Sequence, residues 1–139
     1  MVAPFALAGA LLTGCSDDPV EPGDPADAVV AMRITIGSTV VTVNEGGTVT
    51  GGPVNIGAGA TSVSVVFLDS GGATVTGLGD FVVHATPANT GIMTFQSTGA
   101  FTGTLTRVSA GTTQVAFELY HVEEGHADFG PYNVSITAS

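Results

Sequence analysis

The chain has 139 residues, about the size of one domain, and carries twelve acids against two arginines and no lysine, for a formal charge of −10. Arg33 and Arg107 cannot form the clustered basic surface that neutralises phosphates, which excludes nucleic acid and anionic lipid headgroups as electrostatic partners. Hydrophobic residues reach 44% and charged ones only 10%, with 20 glycines among many Thr, Ser and Val, a balance that excludes disorder and favours a β-rich extracellular domain over a helical enzyme.

The first element, residues 2–12 (VAPFALAGALL), is an uncharged apolar run too short to span a bilayer and of the length of a secretory-signal hydrophobic region. It leads into Leu12, Thr13, Gly14 and Cys15, which together resemble the lipobox of bacterial lipoproteins. That resemblance implies cleavage before Cys15, acylation of its sulfur and of the new amino terminus, and membrane attachment through lipid. It also gives a purpose to a single cysteine that has no partner for an internal disulfide. No Lys or Arg precedes Cys15, a departure from the family's basic leader that an upstream start would supply.

Residues 16–28 (SDDPVEPGDPADA) combine five acids, Asp17, Asp18, Glu21, Asp24 and Asp27, with Pro19, Pro22 and Pro25. Like charges repel and proline favours extended backbone, so this stretch is expected to be a solvated spacer between lipid and domain. Ser16, directly after the Cys, resembles the residue type that sends Gram-negative lipoproteins to the outer membrane, so the expected location is the bacterial cell envelope, at the outer membrane. The organisation is thus 1–14 signal peptide, 15–28 lipidated Cys and acidic Pro-rich linker, and 29–139 β domain.

From Val29 onward, nine short runs of Val, Ile, Thr and Phe are separated by Gly-rich punctuation: VVAMRITI, STVVTV, PVNI, TSVSVVFL, DFVVHA, GIMTFQ, GTLTRV, TTQVAFELYH and YNVSITA. No stretch carries a capped helical period. Val115, Phe117, Leu119 and His121 share one phase of their run, while Gln114, Glu118 and Tyr120 share the other. The expectation is an all-β, antiparallel Ig-like sandwich with Val63, Val65, Phe67, Val115, Phe117, Leu119, Val134 and Ile136 facing inward.

Residues 67–119 resemble the bacterial Ig-like domains of the invasin and intimin type, BIG2. The resemblance lies in Asp69 with Gly72, Asn89, and the spaced Gly99, Gly103 and Gly111 followed by Thr112. The family's Trp after the first turn is missing, since the chain has none. The resemblance implies a spacer or adhesive module that meets a surface protein or a glycan and has no catalytic residues.

Two stretches invite chemistry. Asp69, Ser70 and Gly71 resemble the Asp-Ser-Gly loop of aspartic proteases, but no second such triplet exists, and Gly71 with Gly72 reads as a hairpin turn with Asp69 bonding locally. There is no Gly-x-Ser-x-Gly, and no nucleophile pairs with a histidine, so a non-enzymatic protein is expected. The second stretch is residues 118–132, ELYHVEEGHADFGPY. Were the strand to continue through it, His121 and His126 would lie about 16 Å apart on opposite faces. If the chain turns at VEEG, the two strand ends approach to about 5 Å, and His126 and Asp128 project from one side.

The turn brings His121, Glu124, His126 and Asp128 into a set suited to Zn²⁺ or Cu²⁺, with Glu123 as an alternative carboxylate. Two other readings of the stretch stand beside that one: a polar loop in which His121 caps the core while Phe129 and Tyr132 anchor it, and a ligand surface formed by Tyr120, Phe129 and Tyr132. Three functions therefore remain open. They are a structural or adhesive surface lipoprotein, a metal-binding envelope protein, and a filament subunit that self-associates through uncharged strand edges.

Overall fold

In the computed structural model, which describes residues 23–139, the alternating segments form ten strands preceded by a short 3-10 turn at Pro25–Ala28. The signal-like run, the lipobox with Cys15, and the linker up to residue 22 lie outside the described residues. The strands are β1 (Ala31–Ile36), β2 (Thr39–Asn44), β3 (Val49–Gly51), β4 (Val54–Ile56), β5 (Ala60–Leu68), β6 (Phe81–Pro87), β7 (Met93–Gly99), β8 (Thr102–Arg107), β9 (Gly111–His121) and β10 (His126–Ala138). They pair into a six-stranded sheet ordered β3-β2-β1-β5-β8-β7 and a four-stranded sheet ordered β4-β10-β9-β6. Each sheet turns its apolar phase toward the other, and the result is an all-β sandwich.

All eight residues expected to face inward are buried, at 4% exposure or less. Phe67 sits between the sheets and meets Phe101 and Phe129 edge-on, with ring centroids 6.0 and 6.3 Å away. Each of the nine runs read from the sequence is a strand. β3 is the additional one, and its three residues, Val49, Thr50 and Gly51, are all exposed. An edge strand held only by its ladder to β2 has no buried face to leave a periodic signature.

One pairing departs from the antiparallel expectation, since β4 runs parallel to β10. After β3 the chain passes through Gly51 and Gly52, both at φ +93°, and leaves the larger sheet to join the smaller one. A side chain on Gly51 would stand 2.6 Å from the Val40 carbonyl oxygen, so this crossing needs glycine for space as well as for its backbone angle.

The end of the acidic stretch also behaves differently from a spacer. Ala26 and Val29 are buried in the core cluster. Asp24 caps the 3-10 turn, its Oδ1 accepting from the Ala26 N–H at 2.9 Å, with Pro25 following it in the first turn. The packed domain therefore takes in residues from Asp24 onward.

Candidate metal centre

β9 ends at His121, residues 122–125 reverse the chain, and β10 starts at His126. Gly125, at φ +72°, donates its N–H to the His121 carbonyl at 2.9 Å and closes the turn. The Val122 N–H donates to the Asp80 carbonyl at 3.0 Å, which ties the hairpin to the start of β6. His121 and His126 are direct ladder partners, so their side chains leave the same face of the sheet.

A β-bulge then places the carboxylate. Ala127 is opposite Tyr120 and Phe129 is opposite Leu119, which leaves Asp128 as an extra residue. Without the bulge, with Asp128 taking a regular place in the ladder, alternation would put Phe129 on the outer face. With it, Phe129 enters the core at 5% exposure while Asp128 stays beside the two histidines. A second irregularity follows between Phe129 and Tyr132, where Pro131 has no N–H to give to a ladder.

The donor atoms converge. His121 Nδ1 lies 3.5 Å from Glu124 Oε2 and 3.6 Å from Asp128 Oδ2, and His126 Nε2 lies 3.4 Å from the same Glu124 oxygen. Ligand atoms about 2.1 Å from a tetrahedral Zn²⁺ are separated by about 3.4 Å, so these three spacings match the edges of such a site. The fourth contact, His126 Nε2 to Asp128 Oδ1 at 2.6 Å, is shorter than such an edge.

His121 is the inner wall. The residue is 9% exposed, and its ring stacks on Phe81 at 4.3 Å with an interplanar angle of 26°. Its Nδ1 is fully buried and has no hydrogen-bond partner among the described residues, because the facing carboxylate oxygens are too far for one. An orphaned buried polar atom of this kind costs about 1–3 kcal/mol. A cation held between the nitrogen and the carboxylates would remove that cost.

Asp24 is the member the sequence did not suggest. Its carboxylate joins His121 and Asp128 in a group whose ligand atoms all lie within 4.8 Å of one another. It arrives through tertiary packing of the 3-10 turn against the sandwich, which no local spacing encodes. The available signal was Asp24 followed by Pro25, a helix-start signature inside what otherwise reads as spacer. Glu123 forms no ion pair with the histidines among the described residues.

The proposed aromatic ligand surface is not brought together. Phe129 is in the core. Tyr132 packs against it at 5.0 Å, and its hydroxyl accepts from the Gly46 N–H at 3.1 Å. Tyr120 lies on the opposite face, stacked on His84 at 4.2 Å, where His84 Nδ1 also meets Glu118 at 3.2 Å. Asp69 acts as a turn residue, its Oδ1 accepting from the Gly71 and Ala73 N–H groups at 2.9 and 3.0 Å.

No family model matches the chain, and no curated protein matches it. Among solved structures it is similar to domains 4 and 5 of the S-layer protein SbsC. The two are 13% identical, the match covers 77% of this chain and 74% of that one, and the TM-score is 0.46.

Proposed function

We propose that this chain is a non-enzymatic lipoprotein of the bacterial envelope whose β-sandwich carries a divalent transition-metal site at the β9–β10 hairpin. The observation that carries the metal assignment is the buried, unpartnered His121 Nδ1 facing the carboxylates of Glu124 and Asp128 at 3.5 and 3.6 Å. His126, against both carboxylates, supplies a second imidazole. Imidazole with carboxylate suits Zn²⁺ and Cu²⁺. Attachment through Cys15 rests on its resemblance to the lipobox, and a structural or adhesive role for the sandwich rests on its resemblance to the BIG2 domains.

Calorimetric titration of the full chain with Zn²⁺, and separately with Cu²⁺, tests this. One equivalent is expected to bind at neutral pH. A wild-type chain that gives no heat of binding with either ion removes the metal assignment.

A further inference from the structure

In the group that contains Asp24, His121 and Asp128 sit on the β9–β10 hairpin, with Glu124 and His126 beside them, but Asp24 comes from the end of the acidic linker. Its position is specific. Oδ1 is committed to the Ala26 N–H, which orients the carboxylate, and the backbone carbonyl accepts from the Asp27 N–H at 2.8 Å. Burial of Ala26 and Val29 is the apolar contribution that holds this turn to the sandwich. One is a methyl group and the other a small branched side chain, so this attachment is modest.

Charge works against it. Asp24, Asp128 and Glu124 bring three carboxylates to one corner of a chain with no lysine. Neither Arg33 nor Arg107 forms an ion pair among the described residues. Like charges at a few ångströms repel, and the repulsion is strongest where solvent is partly excluded. A divalent cation shared by Asp24, His121 and Asp128 turns that repulsion into attraction. The buried Nδ1 of His121, without a hydrogen-bond partner, is aimed into this group and points independently to a bound cation.

We propose that the metal is a clamp that fastens the end of the linker to the hairpin, with Asp24 as its ligand from the linker side. This rests on the metal assignment above. When the metal is bound, residues 24–28 belong to the domain and the linker departs beside the β9–β10 turn. When it is removed, those five residues join the linker, which adds at most about 16–18 Å of reach at full extension. Metal availability in the envelope thereby sets how far the sandwich stands from its anchor.

The test uses the full chain in detergent micelles at neutral pH, with Zn²⁺ as the probe and chelator as the control. Asp24→Asn is the informative variant, because Asn keeps the capping acceptor while removing the charge. Loss of a group behind a metal ligand typically weakens binding about 10–100-fold, so loss of a direct ligand is expected to cost at least tenfold in Zn²⁺ affinity. Amide hydrogen exchange at residues 26–29 is expected to slow on Zn²⁺ addition in the wild type and to be indifferent to Zn²⁺ in Asp24→Asn. Undiminished affinity in the variant, or exchange at 26–29 that ignores Zn²⁺ in a wild type that binds it, overturns the clamp and leaves the metal site standing. Absence of Zn²⁺ binding by the wild type overturns both.

Discussion

His121 and His126 stand opposite each other across the β9–β10 ladder, their ring centroids 6.1 Å apart, one ring sealed against Phe81 and the other open to solvent. In the proposed site the pair would divide the work, with the inner imidazole packed against Phe81 and the outer one open to adjust around an ion. Replacing both, His121→Ala with His126→Ala, is expected to abolish Zn²⁺ binding. His84→Ala is expected to leave it unchanged, since His84 is on the far face with Glu118 and Tyr120. Calorimetry on the three proteins decides this, and binding that survives the double change would place the ion elsewhere.

Bound metal should register as stability, because a site assembled from a hairpin turn and a distant 3-10 turn exists only in the folded chain. Free Zn²⁺ at a hundred times its dissociation constant is expected to add about 2.7 kcal/mol to unfolding. Urea titrations with Zn²⁺ and with chelator measure the difference. Coincident midpoints would mean that the ion does not discriminate between folded and unfolded chain.

What the sequence disclosed, and what it hid, follows from the range of each interaction. Strand β9 was legible because Val115, Phe117 and Leu119 repeat with the period of a half-buried strand, and the reversal at 122–125 was legible because Gly125 follows two acids between two alternating runs. The bulge at Asp128 was not, since a period count carries no sign of an inserted residue. For the same reason the sequence leaves Phe129 open between a buried anchor and a ligand-facing aromatic, and the bulge puts it in the core. β3 was hidden because all three of its residues face water. Asp24 lay beyond local reasoning altogether, since only packing of the turn at Pro25–Ala28 brings it to the hairpin.

Phe117 occupies the centre of the smaller sheet, on β9 between Ala85 of β6 and Tyr132 of β10, with no exposed surface. Phe117→Ala removes a large ring from a small core and is expected to cost about 3–5 kcal/mol. Urea unfolding with chelator present isolates this from metal effects. A loss under about 1 kcal/mol would mean that the ring is not packed as described.

In the proposed lipoprotein the anchor is Cys15, where a diacylglyceryl thioether and an N-acyl chain would supply the several acyl chains that stable anchoring requires. Cys15→Ser is expected to move the protein from the detergent phase to the aqueous phase in phase partitioning of expressing cells. A variant that stays in the detergent phase would remove the lipoprotein assignment without touching the metal site.

The strongest consequence of the buried His121 is a conflict between binding and stability. Its Nδ1 has no hydrogen-bond partner among the described residues, and an unsatisfied buried polar atom carries a desolvation cost of about 1–3 kcal/mol. Leucine has a similar volume and no polar atom, and it can fill the space against Phe81, so His121→Leu is expected to stabilise the metal-free protein by about 1 kcal/mol. The same change removes the inner ligand and with it the gain from Zn²⁺. In urea titrations the variant is therefore expected to unfold later than wild type in chelator and earlier in saturating Zn²⁺. Such a crossing identifies a residue kept for its ligand atom at the expense of the fold. If His121→Leu is instead destabilising by more than about 1 kcal/mol in chelator, the imidazole is fully satisfied in the native protein and its role is structural.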